Sequence, residues 1–230
     1  MNTLLQNSLF FGGLLTLAAY EIGVILRKKW KLAIFNPLLI AVVLIIALLK
    51  LCHVDYRYYQ EGADYISYLL TPATVSLAVP LYQQLQVLRK NALAIFGGIL
   101  AGTVAGMGSV LGLSILFELS HEEYVTLLPK SITTAIGMGI SEELGGVVTI
   151  TVAVIVLTGV FGNIAADNIL RLFHVKHPIA KGVSIGTAAH AMGTARAIEM
   201  GEIEGAMSGL SIVVAGVITV VAASFFALLY

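Results

Sequence analysis

The residues Leu127–Gly146 read LLPKSITTAIGMGISEELGG. They are apolar enough to enter a membrane, yet they carry Lys130, Glu142 and Glu143 together with Pro129 and four glycines. A hydrocarbon core has no water to satisfy a broken backbone or a charge. Such a stretch persists there only where protein buries it or where it lines a cavity. Two other stretches share this character, Tyr65–Leu85 (YISYLLTPATVSLAVPLYQQL) and Gly182–Glu199 (GVSIGTAAHAMGTARAIE). The three interrupted segments are read as parts of one solute site, with smoother apolar helices holding them in lipid.

The composition sets the class. The 230-residue chain is 58% hydrophobic and 11% charged, with a mean hydropathy of +0.95, whereas a soluble domain carries about 25% charged residues. Several apolar runs reach the roughly 20 residues that cross a bilayer. The predicted fold class is an all-α polytopic membrane protein, a single integral membrane domain over residues 1–230. With 13 basic and 13 acidic residues the net charge is zero, so no bulk field points to a nucleic-acid partner. The one cysteine, Cys52, has no partner for an internal disulfide and no metal-binding spacing. No metal or other cofactor is expected. The first apolar run has no basic region before it and a basic cluster after it, which suits a first span rather than a cleaved signal.

Taken in order, the predicted spans begin with Leu4–Leu26, ending at Arg27-Lys28-Lys29-Trp30-Lys31; the positive-inside rule places that cluster in the cytoplasm. Pro37–Leu51 is the second span, opened by a proline at a helix start. His53–Asp64 is read as a polar outer loop. Tyr65–Leu85 returns inward, interrupted at Pro72 and Pro80. Ala92–Leu119 is a glycine-studded span, and Glu118–Glu123 an acidic outer loop. Leu127–Gly146 then enters and leaves by the outer side as a re-entrant hairpin, Val147–Leu170 crosses, Gly182–Glu199 forms a second hairpin from the cytoplasm, and Ser208–Tyr230 is the last span. The sum is about six crossings and two opposed re-entrant or broken hairpins. LLTPATVSLAVPLYQQL and LLPKSITTAIGMGISEEL also echo one another, with Thr74 matching Thr133 and Leu85 matching Leu144. The match is as consistent with biased composition as with an inverted repeat of the kind found in carriers.

Residues able to hold a solute cluster at the breaks. Thr71, Thr74 and Ser76 lie at the first. Lys130 follows Pro129, with Ser131 and Thr133 able to cap a helix start, where free N–H groups and a lysine favour an anion. On a helix, Lys130, Thr134, Gly137 and Ser141 share a face. Glu142 and Glu143, at the far end of that face, are candidates for binding a coupling proton or sodium ion. In the third segment Thr187, His190 and Thr194 share a face, and His190 is a further coupling candidate. A break near Gly193 brings Arg196 to His190; otherwise Glu199, three residues on, is its partner. A nucleophile–base arrangement, a metal spacing and a phosphate loop are all missing, so no enzymatic activity is expected.

Asn36-Pro37-Leu38, LLTPATVSLAVPLY from Leu69, LPKSITTAIGMGISEELGG from Leu128 and GTAAHAMGTARAIEMGEIEGAMSGLSI from Gly186 closely resemble the LrgB/CidB family, over essentially the whole chain. The resemblance implies a multi-pass protein of the bacterial cytoplasmic (inner) membrane. It also brings two functions. One is an antiholin-like regulator of murein hydrolase activity and lysis, acting with a small holin-like LrgA/CidA-type partner. The other is a transporter similar to the plastidal glycolate/glycerate transporter, handling pyruvate-like and 2-hydroxy monocarboxylates. The broken helices favour the second: an alternating-access, elevator-like carrier of a small organic anion. Lys130, Ser131, Thr133, Thr134 and Arg196 would hold the carboxylate, and Thr71, Thr74, Ser76, Thr187, His190 and Thr194 would complete the pocket. Oligomeric state stays open, a homo-oligomer included.

Overall fold

The computed structural model describes residues 10–30, 35–69, 72, 75, 76 and 78–230, which contain helices and no strand. The chain divides into two compact units, Met1–Ser76 and Leu77–Tyr230.

The first unit holds α1 (Phe11–Trp30), α2 (Pro37–Leu51) and α3 (Tyr56–Ser67). α2 starts where Asn36-Pro37 predicts. Proline supplies a first turn that needs no N–H, and the Asn36 side chain accepts from the backbone N–H groups of Leu38 and Leu39. The predicted outer loop His53–Asp64 is corrected. Most of it is helix α3, begun by the Asp55 side chain accepting from the Arg57 N–H. Its Tyr59 hydroxyl lies 2.9 Å from that of Thr16, and it packs so closely on α1 that a Cβ at Gly12 would sit 1.8 Å from the Tyr59 carbonyl oxygen.

The second unit holds α4 (Ala78–Gln83), α5 (Leu85–Lys90), α6 (Ala92–Leu116), α7 (His121–Leu127), α8 (Thr134–Glu143), α9 (Val148–Leu172), α10 (Pro178–Met200) and α11 (Glu202–Ala227). Among the described residues α6, α9 and α11 are the helices long and apolar enough to cross a membrane, with 25, 25 and 26 residues. At about 1.5 Å per residue each outreaches a hydrocarbon core of about 30 Å. The chain is an all-α membrane protein.

Both predicted hairpins have counterparts in this unit, but the first starts earlier than predicted: its leading arm is α7, which takes in part of the expected outer loop Glu118–Glu123. In the first, α7 leads in and α8 leads back. Pro129 and Gly137 face one another, with a Gly137 Cβ falling 3.5 Å from the Pro129 carbonyl and 2.4 Å from Ile155 of α9. Further out, Thr126 of α7 accepts from the Val147 N–H through its hydroxyl. The Thr151 hydroxyl of α9 bonds both the Thr126 carbonyl at 2.9 Å and Ser141 of α8 at 2.7 Å. Leu128–Thr133 is therefore the tip.

The second hairpin is α10 itself. His190 has φ 41° and ψ −138°, outside the helical region, and the two halves run opposite ways along α11. A Cβ at Gly182 would lie 2.5 Å from the Glu204 carbonyl oxygen, and one at Gly186 2.3 Å from that of Ser208. On the other arm the Thr194 hydroxyl meets the same Ser208 at 2.7 Å, and Gly205 abuts Ile198. Ser208 is thus touched from both sides of the bend. Gly201, extended at φ 165° and ψ 167°, turns the returning arm into α11.

Each crossing helix is shared between the hairpins. The first packs Tyr124, Val125, Leu128 and Ile132 against Met107 and Val110 of α6 and Ala223 of α11. The second packs Ile179 and Val183 against Ile95 and Ile99 of α6 and Ala206 and Met207 of α11. The tips meet from opposite ends, near Ile155 and Gly159 on α9 and between Gly102 and Met107 on α6.

Candidate functional site

Of the seven lysines and arginines from Leu85 onward, Arg89, Lys90, Arg171, Lys176, Lys181 and Arg196 belong to one end of the second unit. Lys130 alone sits midway, at the tip of the first hairpin. The turn places it there: Lys130 N–H bonds the Leu127 carbonyl at 3.1 Å, and the new helix begins only at Thr134. Its ammonium donates to the Ser131 hydroxyl at 3.0 Å, and among the described residues no carboxylate pairs with it. Lys130 and Ser131 line a cavity of about 690 Å³ that also borders Gly102 and Gly106 of α6, Thr187 and Ala188 of the second hairpin, and Asn91 and His177 at the basic end. A helix seam of glycines against a hairpin arm makes the room. Gly98 and Gly102 touch Val183 and Thr187, while Gly106, one turn on, meets nothing within 4 Å.

The other candidates divide. Thr187 is buried and lines the cavity. Thr133 and Thr134 end the tip, and neither lines the cavity. The predicted face Lys130–Thr134–Gly137–Ser141 does not form, because Lys130 precedes the helix and Gly137 and Ser141 are committed to α9. Glu142 and Glu143 lie at the end of α8 away from the tip, exposed, and do not border the cavity. The face Thr187–His190–Thr194 is likewise broken, by the bend at His190. His190 is buried, with its ring Nε2 3.0 Å from the Ile155 carbonyl; a Cβ at Gly159 would strike that ring at 2.7 Å. Thr194 bonds Ser208 and the His190 carbonyl. These two hold the bend together rather than facing the cavity.

Arg196 requires a correction. The helix does break, at His190, yet Arg196 turns away from the cavity. Its Nε–H and Nη2–H donate to Asp167 Oδ2 at 2.9 and 2.6 Å, and its Nη1–H donates to Glu199. A guanidinium engaged on both sides has little left for a solute. Thr71 and Thr74 lie outside the described residues; Ser76 is exposed at the end of the first unit.

Sequence reasoning missed two groups. Asn163 of α9 donates its side-chain N–H to the Met192 carbonyl at 2.7 Å, tying the returning arm to α9 just past the bend. Thr103 of α6, buried, lies behind the cavity wall. A polar residue in an apolar run was the available signal for both.

Set beside known proteins, the chain matches the LrgB-like family over residues 16–229. It belongs to the LrgB-like family. Its relatives include proteins named antiholin-like protein LrgB from Bacillus mycoides (strain KBAB4), Bacillus cereus (strain B4264) and Bacillus anthracis (strain CDC 684 / NRRL 3495). Each is 39% identical over 218 residues, covering 94% of this chain and 95% of the relative. No solved structure matches.

Proposed function

We propose that this LrgB-like protein is a secondary carrier of small organic anions, of the monocarboxylate and 2-hydroxy-acid class, and not an enzyme. One observation carries the reading: an ammonium with no carboxylate partner among the described residues, at the meeting point of two opposed hairpins, facing a cavity of about 690 Å³. A cation in an apolar unit is costly without an anion, and a cavity of this size exceeds what one short carboxylate needs. Lys130 supplies charge, Ser131 and Thr187 supply hydroxyl donors, and Arg196 holds the second hairpin to α9. The cavity borders Asn91 and His177 at the basic end, which the positive-inside rule assigns to the cytoplasm of a bacterial inner membrane. Closing that side and opening the other at the first hairpin is what alternating access requires. A coupling ion is not assigned, since Glu142, Glu143 and His190 all point elsewhere.

A second reading is favoured by the name the relatives share, antiholin-like. On it the protein regulates lysis through a small holin-like membrane partner, and the cavity is incidental. Uptake of labelled glycolate and pyruvate into proteoliposomes separates the two. The carrier reading expects saturable, mutually competing uptake. Lys130→Gln lowers it about 10- to 100-fold, the range for losing a charge-assisted contact, and Lys130→Arg retains part of it. No saturable uptake by the wild type, alone or with the small partner, sinks the carrier reading.

A further inference from the structure

Several of the hydroxyls buried in this helical unit are satisfied by the carbonyl one turn back. Thr126, Thr194, Ser211 and Thr219 all bond their own i−4 carbonyl, at 2.6 to 2.9 Å. This is the default for a threonine or serine with no other partner in apolar surroundings. Thr103 and Thr187 depart from it. Both are buried, 7% and 6% exposed, and neither Oγ1 has a hydrogen-bond partner among the described residues. They come from different elements, α6 and the inward arm of the second hairpin, and line one small chamber of about 20 Å³ together with Ser131 and Pro129 of the first hairpin's tip. The third such hydroxyl, Ser114, borders neither cavity.

The chamber shares Gly102, Gly106, Ser131 and Thr187 with the main cavity, so the two adjoin. A volume of about 20 Å³ admits one water-sized group, the threshold being about 10–15 Å³. Two unsatisfied hydroxyls around such a space call for a polar occupant, because a buried donor left unpaired is costly.

We propose that Thr103 and Thr187 form a second polar subsite, which takes one oxygen of the bound carboxylate other than its carboxyl oxygens: the hydroxyl or oxo group on the neighbouring carbon. Resting on the carrier reading, this divides the labour between charge and shape. Lys130 and Ser131 hold the carboxylate, and the chamber reads the atom beside it. The two hydroxyls both donate and accept, so they suit an alcohol and a ketone alike. Longer or branched groups do not fit the chamber. The tip of the first hairpin, the second hairpin and α6 each contribute a wall, so the subsite is complete only while both tips are docked.

The test is calorimetric binding to the full-length protein in nanodiscs with two probes that differ by one hydroxyl, glycolate and acetate. The expected result is wild-type preference for glycolate by at least about tenfold. Thr103→Val, which keeps the shape and removes the hydroxyl, erases that preference by weakening glycolate alone, and Thr103→Ser keeps it. Equal wild-type affinity for both acids overturns the proposal and leaves the chamber to a water. An equal loss of both acids in Thr103→Val also overturns it, assigning Thr103 to packing. If the wild type binds neither acid, the carrier reading falls and the subsite with it; acetate binding without discrimination leaves that reading standing and removes only the subsite.

Discussion

Two basic residues in comparable apolar surroundings have opposite fates, and only their neighbours in space decide which. Arg196 is one helical turn from Glu199 and abreast of Asp167 on α9, with side-chain exposures of 25%, 48% and 35%. A planar fork engaged by two carboxylates is an ion-pair network that fastens the returning arm to α9. Lys130, in the turn after a proline, has the Ser131 hydroxyl as the one side-chain hydrogen-bond partner of its ammonium among the described residues. The expected outcome for Arg196→Ala is therefore a less stable protein with an intact site. Coupling to Asp167, measured by a double-mutant cycle of thermal unfolding, should be on the order of 1 kcal/mol, since the partners are partly exposed. On the carrier reading the KM for uptake should stay within about twofold, because Arg196 is engaged by Asp167 and Glu199 and does not line the cavity. A tenfold rise in KM with unchanged melting temperature would return Arg196 to the binding site.

At the scale of elements, the hairpins depend on backbone contact that side chains forbid. A Cβ at Gly186 would lie 2.3 Å from the Ser208 carbonyl, so Gly186→Ala must push the inward arm off α11. The expected cost is about 1–3 kcal/mol or more, visible as a lowered melting temperature, whereas Gly106→Ala, with open space before it, should leave folding unchanged. The outer end of the first hairpin depends on a cap. Ser120 and Glu123 form a reciprocal capping box at the start of α7, and hydrogen bonds from the Ser120 N–H and hydroxyl hold the Glu123 carboxyl below its ordinary value. A depressed folded value means the cap contributes above the unfolded carboxylate range, near pH 4.3, and loses its contribution as pH falls through the lower folded value. Glu123→Gln should lower the melting temperature at pH 7 and converge on the wild type in strong acid; a constant difference would exclude the cap as its cause. Both hairpins were legible in the sequence, because prolines, glycines and hydroxyls interrupting apolar runs have few other meanings in a membrane. Serine followed at three residues by glutamate was also a readable signal for α7, obscured by the acidic loop around it. The residue at which the second hairpin bends was not legible, a break being expected, if anywhere, near Gly193: a non-glycine residue at φ 41° is disfavoured locally and His190 is held there by tertiary contacts with Ile155 and Gly159. The Glu199 half of the Arg196 network was legible as a partner three residues on, whereas the Asp167 half was hidden, since no local pattern links Asp167 to a residue 29 positions away.

For the whole molecule, the decisive quantity is sidedness. On the carrier reading, hairpins entering from opposite ends make a site that each can close separately, and the positive-inside rule predicts the compartment each faces from the basic residues gathered at one end. In the conformation seen, the main cavity borders the basic end at Asn91 and His177, while Glu142 and Glu143 lie at the other. A cysteine at Ser184, on the cavity wall, should therefore react with a membrane-impermeant maleimide in inside-out vesicles and not in right-side-out ones. A cysteine at Glu142 should show the reverse, each in a Cys52→Ser background. Saturating glycolate should slow labelling at Ser184 by filling the cavity or closing it, and Lys130→Gln should abolish that protection without altering the sidedness. Labelling of both positions from one face would mean that the hairpins are not opposed across the bilayer. An unprotected Ser184 in a protein that still binds glycolate would mean that the solute sits elsewhere.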